Sequence, residues 1–539
     1  MKILYAIPAV VLLALAGCVS SRSGSHAMGG SAALARHLVA AHQNSIVTVL
    51  GTLKTTMTVK GLGMKQENEA PVEAPATIVD ATGWVVAGNL LLDPVSSMFH
   101  GPLHIQRGDQ SFEIEFKAHL EKLRVLLADK TEVPARVVTQ DDDLGLTVLA
   151  IEPQAGAKTS AFPALALTGE ATPALHAPCL VLSRTGEACQ RTPLVVRGLP
   201  VNALTKPRAC HMFMTEIVPL GLPVFATDGR LIGIGSVDFR PPDLEQLEKI
   251  SENQVRPLSI ILPVADVRDL VARAQKATAR VITVAQPPPA LTRAAGPTTL
   301  GEISGEQARA FIAARQDAIV TLRGSLKYND GHNAKPHEQN VECVATLVDR
   351  AGFAICGNSG KTAELKYEEQ HLNFVLHDGT EVPARIVLQD DDLMLTVLAP
   401  APKSGEKIPA WPALALQPNA KAELFDDVLA ISRLDRSHHY TLTADTGKIT
   451  ACITQPRVFY LTDGHPGGEN PLGVPIFLAD GRLLGVTALQ PMAMNRRPSR
   501  KSMPFDLALQ QEQRLHVVPA AALAELVEQA RKVAAKTKN

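Results

Sequence analysis

One ordered set of motifs occurs twice in this chain of 539 residues. Three runs recur at one constant offset of 249 residues: Thr131–Arg136 as Thr380–Arg385, Gln140–Leu144 as Gln389–Leu393, and Pro163–Leu167 as Pro412–Leu416. Solenoid units have about 20–50 residues, so a period this long indicates a duplicated domain. Whatever fold one copy adopts, the other copy must be able to adopt as well.

Short strands separated by tight turns dominate both copies. Runs rich in branched apolar residues, bounded by Asp-Gly, Ala-Asp and Pro turns, predict strands at residues 45–50, 123–128, 135–138, 146–151 and 231–237. Residues 31–44 predict a short helix, and the other helical patterning appears mainly at the copy ends, in two runs that begin at Pro263 and Pro519. We therefore predict an all-β fold with a short terminal helix in each copy.

The limits of the two domains follow from composition. Gln286–Pro289 is typical of a semi-rigid linker. We predict domain 1 at residues 31–278, a Pro-rich linker at 279–303 and domain 2 at 304–539.

The two copies differ by one insertion. Their offset is 269 at Gly83 and 249 from Thr131 onward. This drop places 20 additional residues in the first copy, between Asn89 and Arg124.

The N-terminus is typical of an exported protein. Lys2 precedes an apolar stretch from Ile3 to Leu15, which is too short to span a bilayer comfortably. The junction Leu15–Cys18 resembles the bacterial lipobox, which implies a signal peptide at residues 1–17 and a lipid on Cys18. Val19, in place of Asp, implies by the same resemblance an outer-membrane lipoprotein facing the periplasm. An ordinary signal peptide with a chance cysteine is the alternative.

The rest of the chain indicates how the protein is anchored and which partners it lacks the charge to bind. Residues 18–30 are rich in Ser and Gly and predict a flexible tether. Lys and Arg number 53 against 54 Asp and Glu, so the sequence shows no electrostatic footprint for nucleic acid. No later stretch is apolar enough to predict a transmembrane helix. The lipid on Cys18 is therefore the predicted membrane anchor.

Six cysteines follow Cys18: Cys179, Cys189, Cys210, Cys343, Cys356 and Cys452. No Cys or Cys/His spacing typical of a metal site occurs, and we predict no metal and no other cofactor. Most of the thiols are interpreted as small buried apolar groups. Export permits disulfides. The first pair to test is Cys189 with Cys210, because both lie on segments that could be neighbouring strands.

A series of further motifs carries a family resemblance. The first copy has Gly83–Leu90, Val125–Asp129, Ala135–Val138 and Asp228–Gly233, and the second has Gly352-Phe353, Val375–Gly379, Ala384–Val387 and Asp480–Gly485. In this order each copy resembles the HtrA/Deg-type branch of the trypsin-like serine proteases. The resemblance implies two tandem trypsin-like domains, each with two β-barrels. No PDZ-like region follows either copy, which departs from the usual family layout.

The resemblance also implies where a catalytic triad would stand. The base, acid and nucleophile positions fall on Leu90, Gly145 and Leu220 in the first copy and on Ser359, Met394 and Leu472 in the second. Such a site needs an imidazole base, a carboxylate and a hydroxyl nucleophile. None of the six positions carries the group that its role requires. The oxyanion turn is altered as well, because Val218 and Asn470 replace its glycine and a proline follows each.

Other polar residues are interpreted without a catalytic role. Asp141–Asp143 and Asp390–Asp392 could bind a metal, but each run is interpreted as a solvated turn capped by one Asp. His438-His439 and His465 are interpreted as surface histidines that lack a partner at a readable spacing. Ser359, beside Cys356, could be a new nucleophile, but we interpret it as a small polar replacement.

The sequence thus predicts a lipid-anchored envelope pseudoprotease, a non-catalytic module that binds or scaffolds unidentified envelope proteins or peptides. The former substrate cleft and the strand edge beside it are the predicted peptide sites. A further hypothesis is that apolar residues fill this site as core. Two alternatives stay open: an active trypsin-like endopeptidase with a displaced triad, and a purely structural lipoprotein.

Overall fold

The structure is a computed structural model of the whole chain. It describes residues 32–98, 102–107, 110–152, 161–168, 171–206, 208–215, 217–238, 258–278, 305–329, 337–358, 366–401, 411–463, 471–489 and 515–536. Several predicted features lie outside these ranges: the signal peptide, Cys18, the tether, the linker 279–303, Ser359, His465 and Asn470.

The described residues form two compact units, unit 1 up to residue 278 and unit 2 from residue 305. Each unit holds two closed barrels of six antiparallel strands. The predicted all-β class with paired barrels is therefore confirmed. The exact predicted limits of the two domains stay a prediction.

The first barrel of unit 1 belongs to a sheet of seven strands. They are β1 Ile46–Lys60, β2 Met64–Asp80, β3 Trp84–Gly88, β4 Leu103–Arg107, β5 Gln110–Leu126, β6 Glu132–Asp141 and β7 Leu146–Ile151. The order is β1-β2-β3-β7-β6-β5-β4, and the pairing of β1 with β5 closes six of the strands into a barrel. Inward residues such as Val47, Val49, Val85 and Leu149 fill it, because side chains alternate between the two faces of a strand.

The second barrel of unit 1 closes in the order β10-β13-β12-β11-β8-β9. Its strands are β8 Cys179–Arg184, β9 Pro193–Leu204, β10 Cys210–Thr215, β11 Pro223–Ala226, β12 Leu231–Asp238 and β13 Leu258–Pro263.

Unit 2 repeats this plan. Its first barrel consists of β14 Ile319–Asn329, β15 His337–Leu347, β16 Ala354–Gly357, β17 Lys366–Val375, β18 Glu381–Asp390 and β19 Leu395–Pro400. Its second consists of β20 Asp427–Arg433, β21 Leu442–Ile453, β22 Phe459–Thr462, β23 Pro475–Leu478, β24 Leu483–Leu489 and β25 Leu515–Pro519. Strand for strand, the order of pairing matches that of unit 1.

Six helices complete the described part of the chain: α1 Ala32–His42, α2 Asn89–Leu92, α3 Pro94–Met98, α4 Val264–Ala277, α5 Gly305–Ala313 and α6 Ala520–Lys536. The terminal helices α4 and α6 each bury one apolar stripe against strands from both barrels of their own unit. The predicted starts shift by one residue. Pro263 and Pro519 end the preceding strands, because a proline can finish a strand but donates no hydrogen bond onward.

The insertion of the first copy extends its first barrel. It contains α2, α3, β4 and the first part of β5, and it lengthens β5 to 17 residues against 10 in β17. Lys54 makes ion pairs with Glu69 and Glu121 on one face of this extension. Val59 and Ile114 are buried on the other face and form a small cluster of their own.

Candidate functional site

In unit 1, the loop 219–222 lies against the end of β3, and we call this contact the seam of unit 1. Gly221 has a φ of +74°, and a Cβ on it would lie 2.7 Å from the Cα of Ala87. Only glycine suits both that conformation and that approach. The hydroxyl of Thr77 donates a hydrogen bond of 2.7 Å to the carbonyl oxygen of Gly221. The loop of the second barrel is thereby held against the first barrel.

The seam of unit 2, where the loop 471–474 lies against the end of β16, has the same construction. Gly473 has a φ of +76°, and a Cβ on it would lie 2.9 Å from the Cα of Cys356. The hydroxyl of Thr346 donates a hydrogen bond of 2.8 Å to the carbonyl oxygen of Gly473. The repeated sequence motifs therefore produce a repeated contact between barrels.

A leucine side chain occupies the centre of each seam. A Cβ on Gly88 would overlap the Cβ of Leu220, and a Cβ on Gly357 would lie 2.7 Å from the Cβ of Leu472. Leu220 is 1 % exposed, whereas Leu472 is half-buried. In unit 1, Leu90 and Leu222 are also buried. The seam of unit 1 is thus filled with apolar side chains.

The backbone N–H groups of the loop in unit 1 are already used. Those of Leu220, Gly221 and Leu222 donate to the carbonyl oxygens of Val218, Gly235 and Pro219, at 2.9, 2.9 and 3.1 Å respectively. An oxyanion hole needs N–H groups that point at the substrate and have no other acceptor. This loop offers no such donor at the predicted nucleophile position or at the two residues after it.

A buried asparagine in each unit connects the seam to the strand pair β6–β7 or β18–β19. The N–H of Asn89 donates to the carbonyl of Gly145 at 3.0 Å, and its side-chain oxygen accepts from Thr147 at 2.7 Å. Asn358 repeats both contacts, with the carbonyl of Met394 and with the hydroxyl of Thr396.

These asparagines were missed by the sequence interpretation, which considered only the following residue as the base position. The pairs Gly88-Asn89 and Gly357-Asn358 occur at matching places in the two copies. That repetition is the signal that could have identified them.

The structure brings together the three segments that carry the predicted triad positions. In unit 1, the carbonyl oxygen of Gly145 accepts a hydrogen bond from the N–H of Asn89, which precedes Leu90. Leu220 packs on Gly88. In unit 2, the carbonyl oxygen of Met394 accepts a hydrogen bond from the N–H of Asn358. Leu472 packs on Gly357 at the end of β16. The described side chains at these positions are apolar or absent, so they can neither attack a carbonyl carbon nor transfer a proton.

The acidic runs form turns. The carboxylate of Asp141 accepts a hydrogen bond from the N–H of Leu144 at 3.0 Å, and that of Asp390 accepts from Leu393 at 2.8 Å. This confirms the predicted capping of each turn by one Asp. No group of three or more His, Cys, Asp or Glu side chains in the described ranges could hold a metal ion.

The prediction that His438 lacks a partner is wrong. Its Nδ1 lies 2.9 Å from the hydroxyl of Ser437 and 2.9 Å from a carboxylate oxygen of Asp435. A triad uses both ring nitrogens, one for the serine and one for the acid. Here both contacts fall on Nδ1 in an exposed turn. Hydrogen bonds from Ser437 and His438 lower the pKa of Asp435. This constellation therefore closes a turn and cannot relay a proton.

The proposed pair Cys189 with Cys210 does not form a disulfide, nor do the other four cysteines that the structure describes. Cys189 lies in a turn just before β9 begins at Pro193, whereas Cys210 pairs with Leu204 at the far end of β9. The 12 residues of β9 separate the two thiols, because an extended strand rises about 3.3 Å per residue.

No protein-family model matches the chain, and no curated protein matches its sequence. Within the described ranges, no helix has both the length and the hydropathy needed to cross a bilayer.

Proposed function

We propose that this chain is a lipid-anchored pseudoprotease of the bacterial envelope, built from two degenerate trypsin-like domains of the HtrA/Deg type. It binds or scaffolds envelope proteins or peptides and does not cleave them. The support for the family is the set of ordered motifs together with two barrels per unit, a seam between them and a terminal helix that packs on both.

The closed seam of unit 1 is the observation that carries the non-catalytic part of the proposal. Leu220 occupies the predicted nucleophile position, is buried on Gly88, and its own N–H already has an acceptor in Val218. Hydrolysis needs a nucleophile and an oxyanion hole at this place. In subtilisin, removal of the nucleophile or of the base alone lowers turnover by about 10⁶.

Absence of hydrolysis is tested with purified protein lacking the signal peptide. It is incubated with labelled casein and with a fluorophosphonate probe, and active trypsin serves as the positive control. We expect neither cleavage nor labelling. Stoichiometric labelling of any serine would establish the alternative, an active endopeptidase with a displaced triad. Ser359→Ala then shows whether that serine is the one labelled.

The lipid anchor is supported by the junction Leu15–Cys18 behind its apolar stretch. Cys18→Ser should leave an unprocessed, unlipidated precursor, which mass spectrometry of the membrane fraction detects. Wild-type protein found in the cytosol with Met1 intact would contradict both export and acylation. Separation of inner and outer membranes on a density gradient tests the proposed outer-membrane location.

The binding role is supported by the edge of β4 and no longer by the former cleft. The seam of unit 1 is filled, so it offers no open groove for a peptide. Among the described strands β4 pairs only with β5, and an unpaired strand edge can accept an extended segment of another protein. β4 belongs to the insertion that only the first copy has. We therefore place partner recognition on this edge.

The edge is tested by cross-linking in the native envelope. Gln106→Pro removes one N–H of β4 and its ring obstructs an added strand, whereas Gln106→Ala keeps the backbone unchanged. We expect the proline variant to lose a cross-linked partner that wild type and the alanine variant retain. Equal cross-linking by all three would exclude this edge, and no partner at all would favour the purely structural alternative.

A further inference from the structure

Two cysteine thiols meet inside the first barrel of unit 2. The pairing Thr346↔Ile355 sets Cys356 opposite Ala345, and Cys343 lies two residues further along β15 on the same face. Diagonal neighbours of this kind are within contact range in an antiparallel pair. Cys356 belongs to the hydrophobic core of unit 2, and Cys343 packs against that core. The strand register therefore places two thiols of neighbouring strands close to each other.

Unit 1 shows that the fold does not require sulfur at these places. Thr77 and Thr346 make the same seam hydrogen bond, and this equivalence aligns Cys343 with Ala74 and Cys356 with Ala87. Ala87 lies opposite Ala76, as Cys356 lies opposite Ala345. Both Ala74 and Ala87 are fully buried. Alanine is therefore a matched replacement for either cysteine.

The two sulfurs differ in access. Cys356 is 4 % exposed, whereas Cys343 is half-buried. The hydrogen bond with Cys343 and then burial raise the pKa of the Cys356 thiol well above its usual range. Since the thiolate is the reactive form, Cys356 is protected from external reagents. An oxidant reaches the sulfur of Cys343 first.

We propose that Cys343 and Cys356 are a redox modification site, at which a small disulfide oxidant forms a reversible bond between β15 and β16. The thiolate of Cys343 attacks the oxidant, forms a mixed disulfide and releases one thiol. The sulfur of Cys356 then displaces the second thiol. The two electrons and two protons of the protein dithiol pass to the oxidant, which leaves as two thiols.

The bond lies directly beneath the seam of unit 2. Gly473 packs against the Cα of Cys356, and a Cβ on it would lie 2.6 Å from the carbonyl oxygen of Val344, the neighbour of Cys343. Formation of a disulfide shortens the contact between the two sulfurs and shifts the strands that carry them. The loop 471–474 rests on both strands, so oxidation changes its packing.

The site is tested on the purified mature chain, equilibrated either with a phosphine reductant or with oxidised glutathione. Intact-mass and peptide mass spectrometry should show the loss of two hydrogen atoms and a peptide link between Cys343 and Cys356 in the oxidised sample. Cys356→Ala should instead retain glutathione on Cys343, because the resolving thiol is missing. Cys343→Ala should form neither product, and Cys452→Ala should behave as wild type.

Two results would overturn the proposal. One is a wild-type protein that keeps glutathione on Cys343 and never forms the link. This would show that the oxidant reaches Cys343 but that Cys356 does not displace glutathione to form the disulfide. The other is a link that involves a different cysteine. Hydrogen exchange of residues 471–474 reports on the seam. We expect faster or slower exchange after oxidation, and unchanged exchange at full oxidation would exclude the effect on the loop.

Discussion

His516 is a buried titratable side chain on β25, a strand of the second barrel of unit 2. It is 5 % exposed on β25, its Nδ1 has no hydrogen-bond partner, and its ring lies 4.9 Å from that of Phe459. Burial, and to a smaller degree the charge of Arg457, lowers the pKa of His516 to about 4. The folded protein therefore keeps this ring neutral at pH values where an unfolded chain would protonate it.

We predict that His516 makes the stability of unit 2 depend on pH. The unfolded chain binds this proton below about pH 6.5, while the folded chain binds it only below about 4. The free energy of unfolding is thus unaffected above pH 6.5 and falls by about 3 kcal/mol as the pH drops from 6.5 to 4. Urea titrations at pH 7 and pH 4.5 measure this loss.

The matched control for that titration is His516→Ile. The equivalent residue of unit 1 is Ile260, which lies opposite Ser236 as His516 lies opposite Ala488. Carboxylates also titrate in this range. The relevant quantity is therefore the difference between wild type and variant in how much free energy of unfolding each loses. An equal loss of stability in both proteins would show that His516 is not the cause.

A second titratable side chain with little exposure is an arginine that ties the two barrels of each unit together. The guanidinium of Arg433 donates to the carbonyl oxygens of Ile319, Tyr440 and Gln316, at 2.6, 3.1 and 3.0 Å. Arg184 makes the equivalent contacts in unit 1, with Ile46, Arg191 and Gln43. Burial lowers the pKa of both guanidinium groups.

We predict that Arg433→Leu costs about 3 kcal/mol or more, because it removes the partner of three backbone carbonyls. Arg433→Lys should also destabilise, since one ammonium group cannot reproduce the fixed geometry of the guanidinium. The exposed Arg482, paired with Asp480, is the control, and Arg482→Leu should cost less than about 1 kcal/mol. Urea unfolding of the three variants compares them, and equal costs would contradict the assigned role.

At the scale of elements, the loops of the two seams act as core. Leu220→Ser should lower the free energy of unfolding by about 3 kcal/mol or more, because it leaves a cavity and buries a hydroxyl. Leu472→Ser should cost less, since Leu472 is half-buried. Neither variant should gain hydrolytic activity, because both copies still lack an imidazole at the predicted base position.

Thermal melts measure both seam variants, with Leu62→Ser as the control. Leu62 is 56 % exposed in the turn between β1 and β2, so its replacement should leave stability within about 0.5 kcal/mol. Unchanged melting of Leu220→Ser would mean that the seam of unit 1 is an open cleft in solution. The peptide-binding interpretation of that cleft would then regain its support.

Elements whose signals are local could be predicted from the sequence. β7 was predicted at its observed limits, and the Asp-capped turns before Leu144 and Leu393 follow from short-range side-chain chemistry. The outer half of β1 was not predicted, because Thr and Lys are frequent there and apolar residues are fewer than in the first half. Its stability comes from pairing with β2 and β5.

Contacts between distant residues could not be predicted in this way. Asn89 and Thr147 are 58 residues apart, and no periodicity or turn motif connects them. The same holds for the packing of Leu220 on Gly88. The resemblance to a known family located the three segments of the site, but the choice between a filled seam and an open groove depended on side-chain burial.

At the scale of the whole molecule, each unit has a hydrophobic core of its own. The cluster that contains Val49 and Leu149 has only residues of unit 1, and the two clusters around Phe374 and Leu523 have only residues of unit 2. A segment that has its own core can fold alone. The two copies should therefore be separable.

We predict that limited proteolysis cuts first within residues 279–303 and leaves two stable fragments. Mass spectrometry identifies the cut, and the fragments 31–278 and 304–539, expressed separately, should each unfold cooperatively. Leu220→Ser should then shift only the transition of the first fragment. A first cut inside a barrel, or a fragment that fails to fold, would show that the boundary is misplaced.

The matching seams also indicate whether the shared loop arose before or after the chain was duplicated. Pro219–Pro223 and Pro471–Pro475 share the order Pro-Leu-Gly, an apolar residue and Pro, with the same threonine bond to the glycine. A single origin in an undivided ancestor accounts for both, whereas separate origins would have had to reach the same loop twice. We therefore infer that this proline-bounded loop and its threonine bond were already present when the gene was duplicated.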